Sequence, residues 1–174
     1  ALVALQTLNA TSAALNKTQS AINTGLKVAS AKDNAAVFAI AQNLRSDVAG
    51  LNSVKSSLDR AISTADVALA AGGAVSDLLI EMKEKAASAA DAGLDTASRT
   101  ALNDDFKQLR DQITTIVSNA SFNGINAVKN SGNNIVAILN DTAGSSLTIT
   151  AQDLSLTGAN VTLTPADVID TKTK

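Results

Sequence analysis

Residues 34–90 read NAAVFAIAQNLRSDVAGLNSVKSSLDRAISTADVALAAGGAVSDLLIEMKEKAASAA, a stretch without proline in which apolar residues return every seven positions. One row of this repeat consists of Val37, Leu44, Leu51, Leu58, Ala65, Gly72, Leu79 and Ala86. A second row, three positions further on, consists of Ile40, Val54, Ala61, Ala68, Val75, Met82 and Ala89 and is broken by Asp47. Ile62 and Leu69 widen the apolar stripe. This pattern predicts a long helix that packs against other helices, as in a coiled coil.

The glycine pair Gly72–Gly73 is the weak point of this helix, because each glycine costs about 1 kcal/mol relative to alanine in a helix interior. The heptad register continues unchanged beyond the pair. One helix is therefore expected to run through both glycines. At 1.5 Å per residue, about 57 residues form a rod of roughly 85 Å, longer than a compact domain needs.

A shorter amphipathic helix is expected before the rod, because Leu8, Leu15 and Ile22 also recur every seven residues. Gly25 should end that helix, since glycine readily adopts the left-handed conformation that closes helices. In the loop that follows, Ser30 and Asp33 have the spacing of a capping box, which predicts the start of the long helix.

A third helix is expected between a cap at Asp95 or Thr96 and the turn dipeptide Asn123–Gly124. Its apolar residues step by four and three along the chain, the clearest helical period in the sequence. They are Leu102, Phe106, Leu109, Ile113, Ile116 and Ala120.

The sequence period changes from helix to strand beyond residue 130. The apolar run 135–139, the polar loop 140–146 and the alternating segment 147–151 predict a β-hairpin. A second, weaker strand pair is expected from Leu154, Leu156, Val161 and Leu163. The predicted fold is therefore mainly α: a long helical rod or coiled-coil-like bundle with a small β-hairpin region at its carboxy-terminal end.

The composition removes most catalytic chemistry, because the 174 residues contain no histidine and no cysteine. Histidine-dependent triads, thiolate nucleophiles and the usual zinc sites are therefore excluded. Paired carboxylates such as Asp104 and Asp105 remain, but they lie opposite the apolar stripe, where a solvated surface is the ordinary role. We expect no enzyme and no cofactor, and a hydrolase that uses paired carboxylates is the residual alternative.

The net charge and the hydropathy pattern argue against nucleic acid and membrane as partners. A net charge of −2 gives no reason to expect nucleic-acid binding. No uninterrupted apolar run approaches the roughly 20 residues that cross a bilayer, so no membrane insertion is expected.

The apolar edge of the long helix exceeds what two short helices can cover on both sides. A binding protein, whose stripe meets other subunits or another part of a longer chain, is therefore favoured over a bundle that is complete by itself.

Two motifs give this chain a resemblance to the amino-terminal half of bacterial flagellins. Ile22–Leu51, INTGLKVASAKDNAAVFAIAQNLRSDVAGL, resembles the flagellin segment in which a glycine-containing turn leads through Ser-Ala-Lys-Asp into a helix of small residues. Ser118–Val128, SNASFNGINAV, is similar to the Phe-Asn-Gly element after the third helix of the family. The alanine-rich composition resembles the alphaproteobacterial branch.

The resemblance implies a structural subunit of the flagellar filament that is exported unfolded by the flagellar type III system and polymerises for motility. It implies an inner-tube helix and spoke loop in residues 1–33, a helical rod domain in 34–130 and a β-hairpin region in 131–174. The residues expected in subunit and helix packing are Leu8, Leu15, Ile22, Val37, Leu44, Leu51, Leu58, Ile62, Leu69, Leu79, Leu102, Phe106, Leu109, Ile113 and Ile116. The residues expected in the spoke loop are Gly25, Ser30, Lys32 and Asp33.

The partners implied by the resemblance are further copies of the chain in a filament, a flagellar export chaperone, and the cap and hook-associated proteins. The implied location is extracellular, in the bacterial flagellum. Family members end with a long helical segment that packs on the first two helices, and these residues are absent from the sequence, so the chain is expected to be part of a longer flagellin. Two alternatives remain: a hook–filament junction protein, and a cell-surface flagellin homologue that binds a ligand such as a polysaccharide.

Overall fold

The computed structural model describes residues 1–171 and contains three helices followed by two short strands. The helices are α1 (Leu2–Thr24), α2 (Ala35–Ala89) and α3 (Thr96–Asn119), and the strands are β1 (Ile135–Ile138) and β2 (Ser146–Ile149). The mainly helical fold and the carboxy-terminal hairpin are therefore confirmed. The chain divides into two compact units, Ala1–Ser53 and Val54–Lys174.

The helix ends follow the expected capping chemistry with one correction. Gly25 closes α1 in the left-handed conformation, with φ 67°. The start of α2 is capped by Asn34, whose Oδ1 accepts a hydrogen bond from the Val37 N–H at 3.1 Å. The predicted cap by Ser30 was wrong: Asp33 Oδ2 accepts instead from the Ser30 N–H at 3.2 Å, within a turn that precedes the helix. Asn34 is the N-cap because it directly precedes the first helical residue, where a side-chain oxygen reaches the free N–H groups.

Asp95 caps α3 as predicted. Its Oδ1 accepts from the Ser98 N–H at 2.9 Å, and its Oδ2 accepts from the Ser98 hydroxyl at 2.8 Å. These bonds favour the ionised carboxylate and hold the pKa of Asp95 below its usual value.

The long helix α2 runs through Gly72–Gly73 without interruption. A Cβ added at Gly73 would meet nothing within 4 Å, and one added at Gly72 would meet the Leu154 side chain at 3.8 Å. Both glycines therefore have ordinary helical geometry. Among residues 1–171, no neighbouring atom would clash with a Cβ at either position.

In the first unit, Ala1–Ser53, no residue is buried. This unit comprises α1, the loop 25–34 and the first part of α2. Its helices consequently gain little from burial within the unit.

The second unit contains the hydrophobic core. The row of α2 that begins at Val54 and includes Ala61, Val75, Met82 and Ala89 is the row that becomes buried. It packs with Phe106, Ile113 and Val117 of α3 and with Val128, Val161 and Ile169 of the later segments. A second cluster joins Ala61 to Ala127 and to Ile135 and Ala137 of the hairpin.

The two strands form an antiparallel hairpin in which Ile135 pairs with Ile149 and Ile138 with Ser146. Ile135 and Ala137 face the core, whereas every residue of β2 is exposed. The predicted second strand pair is absent from residues 150–171, so that prediction was wrong. The Gln152 and Leu154 N–H groups donate instead to the Ala127 and Val128 carbonyls, each at 2.8 Å.

The side chains predicted for that second pair lie against the helical core instead. Leu154, Leu156 and Leu163 are partly buried there, and Val161 is fully buried. Packing on the core and hydrogen bonding to residues 127–128 thus replace a local hairpin. An alternating pattern cannot distinguish these outcomes, because both place every second side chain in an apolar setting.

Candidate helix-packing surface

The helix α1 carries a stripe of exposed apolar side chains. Its heptad residues Leu8, Leu15 and Ile22 are each more than 60% exposed, and α1 has no buried residue. The helix carries one charged side chain, Lys17. Nothing in the described part of the first unit therefore shields this stripe from water.

The first part of α2 presents a comparable stripe. It consists of Val37, Ile40, Leu44, Val48 and Leu51, each 45–59% exposed. At about 100° of rotation per residue, their positions fall within roughly 80° of arc, which is one face of the helix. Each of the two helices of the first unit thus has an apolar face exposed to solvent.

In the second unit, α2 carries a third exposed row on the side away from its core. Ile62, Leu69 and Ile80 are 58%, 74% and 66% exposed. By helical rotation they lie within about 20° of one line, roughly 140° around the axis from the buried row. This part of α2 therefore has two apolar faces, one buried in the core and one free in the described chain.

An apolar cleft of about 490 Å³ adjoins the row at Leu69. Its lining includes Gly72 and Gly73 of α2, Ile149 at the end of β2, and Leu154. No charged residue lines it. The cleft enlarges the apolar surface that the second unit leaves open.

The predicted packing residues separate into three groups by burial. Phe106 and Ile113 are fully buried in the core of their own unit. Leu58, Leu79, Leu102, Leu109 and Ile116 are partly buried against that core. Leu8, Leu15, Ile22, Val37, Leu44, Leu51, Ile62 and Leu69 are exposed. Only the exposed group is available to a partner without disturbing the core.

The predicted spoke-loop residues lie in the first unit between α1 and α2. Gly25 supplies the left-handed turn, and Ser30 and Asp33 are hydrogen-bonded through both the backbone and the hydroxyl of Ser30. Lys32 is exposed in the same turn. The structure thus brings Ser30 and Asp33 together and leaves Lys32 facing solvent.

Several buried polar side chains that fix the second unit were not found from the sequence. Asn126 donates to the Val117 carbonyl at 2.8 Å and accepts from the Val128 and Lys129 N–H groups, each at 3.0 Å. Asn103 accepts from the Ile169 N–H at 2.9 Å. Both side chains anchor a later segment to α3, and a lone asparagine in sequence gives no sign of this role.

The buried face of α2 also contains polar residues that the search for apolar rows missed. Ser57 and Thr64 are seven apart, like Val54 and Ala61, and are buried beside them. The Ser57 hydroxyl accepts a hydrogen bond from the Ile138 N–H at 3.2 Å, which joins α2 to β1. Their heptad spacing was the available signal, but as polar residues they belong to neither of the apolar rows.

The charged side chains of residues 1–171 include an ion pair between two helices. Lys85 of α2 and Asp105 of α3 form an ion pair at 3.0 Å, whose hydrogen bond and charge raise the pKa of Lys85 above its usual value. Among residues 1–171, no group of three or more histidine, cysteine, aspartate or glutamate side chains could hold a metal ion. The ion pair is a link between helices.

By length and composition alone, α2 is apolar enough to cross a membrane, since an 18-residue window has a mean hydropathy of 1.3. Core helices of globular units meet the same criterion. Val75 and Met82, each 2% exposed, pack in the core of the second unit. Of that window, 17% is buried, and length and composition alone are weak evidence for a membrane span.

Comparisons with known proteins give a consistent result. Residues 1–133 match the model of the bacterial flagellin N-terminal helical region. The chain is 51% identical over 158 residues to flagellin FljN of Caulobacter vibrioides, covering 91% of this chain and 58% of that protein. It is 37% identical over 126 residues to flagellin A of Rhizobium meliloti, covering 72% of this chain and 31% of that protein.

A solved flagellin shares the architecture. The crystal structure of Bacillus cereus flagellin matches with a TM-score of 0.51 and 28% identity, over 57% of this chain and 58% of that one. The chain therefore spans well under two thirds of the length of these relatives.

Proposed function

Since the chain belongs to the bacterial flagellin family, we propose that it forms part of the structural subunit of the flagellar filament. The observation that carries this proposal is the uncovered apolar stripe of the first unit, where α1 and the first part of α2 bury no residue. Apolar faces of this length are unfavourable in water, and lateral packing against the same helices of neighbouring copies would remove them from it.

The packing mode that fits these stripes is the coiled coil. Leu8, Leu15 and Ile22 repeat at the heptad spacing that keeps one face of a helix against its partner. Burying one leucine or isoleucine side chain contributes about 1.5–3 kcal/mol. Several such side chains per subunit would therefore provide a large part of the driving force for polymerisation.

The segments of the chain have distinct roles in this proposal. Residues 1–33 form the inner-tube helix and the spoke loop, in which Gly25, Ser30, Lys32 and Asp33 set the path of the chain. Residues 34–130 form the helical rod domain, and residues 131–174 form the hairpin region on the outer side. Ile62 and Leu69 give the rod a second packing face, because they are exposed opposite its core.

The biological setting follows the same family. We place the protein outside the cell, in the flagellum, after export by the flagellar type III system, and its role is motility. Its partners are further copies of itself, an export chaperone, and the cap and hook-associated proteins. It has no catalytic role, takes no cofactor, binds no nucleic acid and does not insert into the membrane.

Immunogold electron microscopy of the source cells, with antibody against this chain, tests the proposal. Labelling along the whole filament is the expected result. Labelling confined to the junction between hook and filament would indicate an adaptor, and labelling of the cell envelope would indicate a surface-binding homologue. Either of these two patterns would overturn the filament role.

A further inference from the structure

Asn123–Gly124 is the sole Asn–Gly dipeptide of the sequence, and it forms the tip of a tight turn between α3 and the hairpin region. Phe122 and Ile125 exchange backbone hydrogen bonds of 2.9 and 3.0 Å across it. Both central residues have positive φ, 49° at Asn123 and 80° at Gly124, as in a type I′ turn.

The two central residues of this turn are open to solvent and free of other bonds. Both are exposed, and a Cβ built on Gly124 would meet nothing within 4 Å. Within residues 1–171, neither the Asn123 side chain nor the Gly124 N–H makes a hydrogen bond. The Gly124 nitrogen is therefore accessible to base and unhindered by a neighbouring side chain.

We propose that Asn123 is a site of spontaneous covalent modification in which the Gly124 backbone nitrogen attacks the side-chain amide of Asn123. Solvent base removes the proton from the Gly124 nitrogen, which forms a bond to Asn123 Cγ, and the side-chain nitrogen leaves as ammonia. Water then opens the resulting succinimide ring at one of its two carbonyls and yields aspartate or isoaspartate. The net change consumes one water, releases one ammonia and involves no oxidation or reduction.

The turn supplies a route to the reactive geometry without unfolding. A flip of the amide between Asn123 and Gly124 converts a type I′ turn into a type II′ turn, changing ψ of the first central residue by about 150°. The second central residue then needs a negative φ, which glycine adopts as readily as a positive one. This flip swings the Gly124 nitrogen toward the Asn123 side chain while the bonds between Phe122 and Ile125 remain.

The two products have different consequences for the turn. Arg60 of α2 lines the same small cavity as Asn123, so an aspartate at position 123 would add a negative charge to a cavity that a cationic residue also lines. Isoaspartate adds a methylene to the main chain, which breaks the pairing of Phe122 with Ile125. Modification therefore alters the connection that leads to Asn126, the buried anchor of the following segment.

Incubation of the full chain in mildly alkaline and mildly acidic buffer, followed by peptide mapping by mass spectrometry and isoaspartate-specific methylation, tests the proposal. The mass increase of amide-to-acid conversion should arise in the Asn123 peptide before it arises in peptides with the exposed Asn130 and Asn133, and faster in alkali. Unmodified Asn123 in a sample where Asn130 or Asn133 has reacted would overturn the proposal.

Variants separate the mechanism from general instability. Gly124→Ala places a methyl group beside the attacking nitrogen and should lose the modification over the same period. Asn123→Gln should also lose the modification, because its longer side chain closes a ring less readily. This variant retains Gly124. Gly73→Ala, a glycine substitution in α2, is the matched control and should leave the Asn123 reaction unchanged. Equal reaction rates in Gly124→Ala and the unaltered chain would contradict the mechanism.

Discussion

Single polar side chains fix the later segments of this molecule onto its helices. Ser57 is an example, because its hydroxyl accepts a hydrogen bond from the Ile138 N–H of β1. Ser57→Ala should destabilise the second unit by about 1 kcal/mol, since a partly buried N–H loses its hydrogen bond. Urea unfolding followed by circular dichroism would measure the change.

The control for Ser57 is Ser63→Ala on the same helix. The Ser63 hydroxyl donates to the Asp59 carbonyl of its own helix, at 3.0 Å, and not to a strand. Its removal should alter the free energy of unfolding little. If the two variants are equally stable, Ser57 does not hold the hairpin in place.

The cap of α3 gives stability a dependence on pH at a single residue. Hydrogen bonds from Ser98 lower the pKa of Asp95 in the folded chain, so folding favours the ionised form. This contribution is present above the unfolded pKa of aspartate, about 3.9, and is lost as the pH falls through the lower folded pKa.

Asp95→Asn, which keeps a side-chain oxygen for capping but has no titration, should lack this contribution. The difference in unfolding midpoint between the unaltered chain and the variant should therefore shrink as the pH falls from neutral to below about 3.9. Thermal unfolding over that range measures it. A difference independent of pH would show that the charge of Asp95 does not contribute.

At the scale of the elements, glycines in α2 and in the loops have opposite roles. A methyl group at Gly73 meets open space within a regular helix, so Gly73→Ala should stabilise the second unit by about 1 kcal/mol. A methyl group at Gly132 would lie 2.8 Å from the Asn126 carbonyl oxygen, so Gly132→Ala should be destabilising. Shifts of the urea midpoint in the same direction for both variants would contradict this assignment.

The boundaries of the elements could be predicted closely because their signals are local. The heptad repeat of α2 continues past Gly72–Gly73 and correctly predicted one helix there. Gly25 predicted the end of α1 through its left-handed conformation, and Asp95 predicted the start of α3 through its side-chain cap. Periodicity and capping depend on residues a few positions apart, which a single sequence displays in full.

Burial of particular rows could not be predicted, because it depends on contacts between segments far apart in the chain. Leu58 and Leu109 were predicted to take part in subunit and helix packing, and the sequence could not show that both are partly buried against the core of their own unit. Ser57 and Asn126 are buried because remote backbone groups need their hydrogen bonds. The sequence around Ser57 and Asn126 contains no local pattern that predicts these remote hydrogen-bond partners.

At the scale of the whole molecule, stability and polymerisation should respond to different residues. Leu44 is 58% exposed on α2 of the first unit, where no residue is buried, so Leu44→Asp should leave the fold of the second unit unchanged. If the apolar stripe that contains Leu44 packs between subunits, the substitution removes about 2 kcal/mol of burial from each contact. The association constant of that contact then falls roughly thirtyfold.

Electron microscopy of cells that produce the full-length protein with Leu44→Asp should then show absent or much shorter filaments. Ser46→Asp adds the same charge two positions away, at an exposed polar site off the apolar face, and should assemble normally. Urea unfolding of the purified chains should give equal midpoints for both variants, which excludes misfolding as the cause. Filaments of normal length from Leu44→Asp would show that the exposed stripe of α2 is not a subunit contact, whatever the family of the chain.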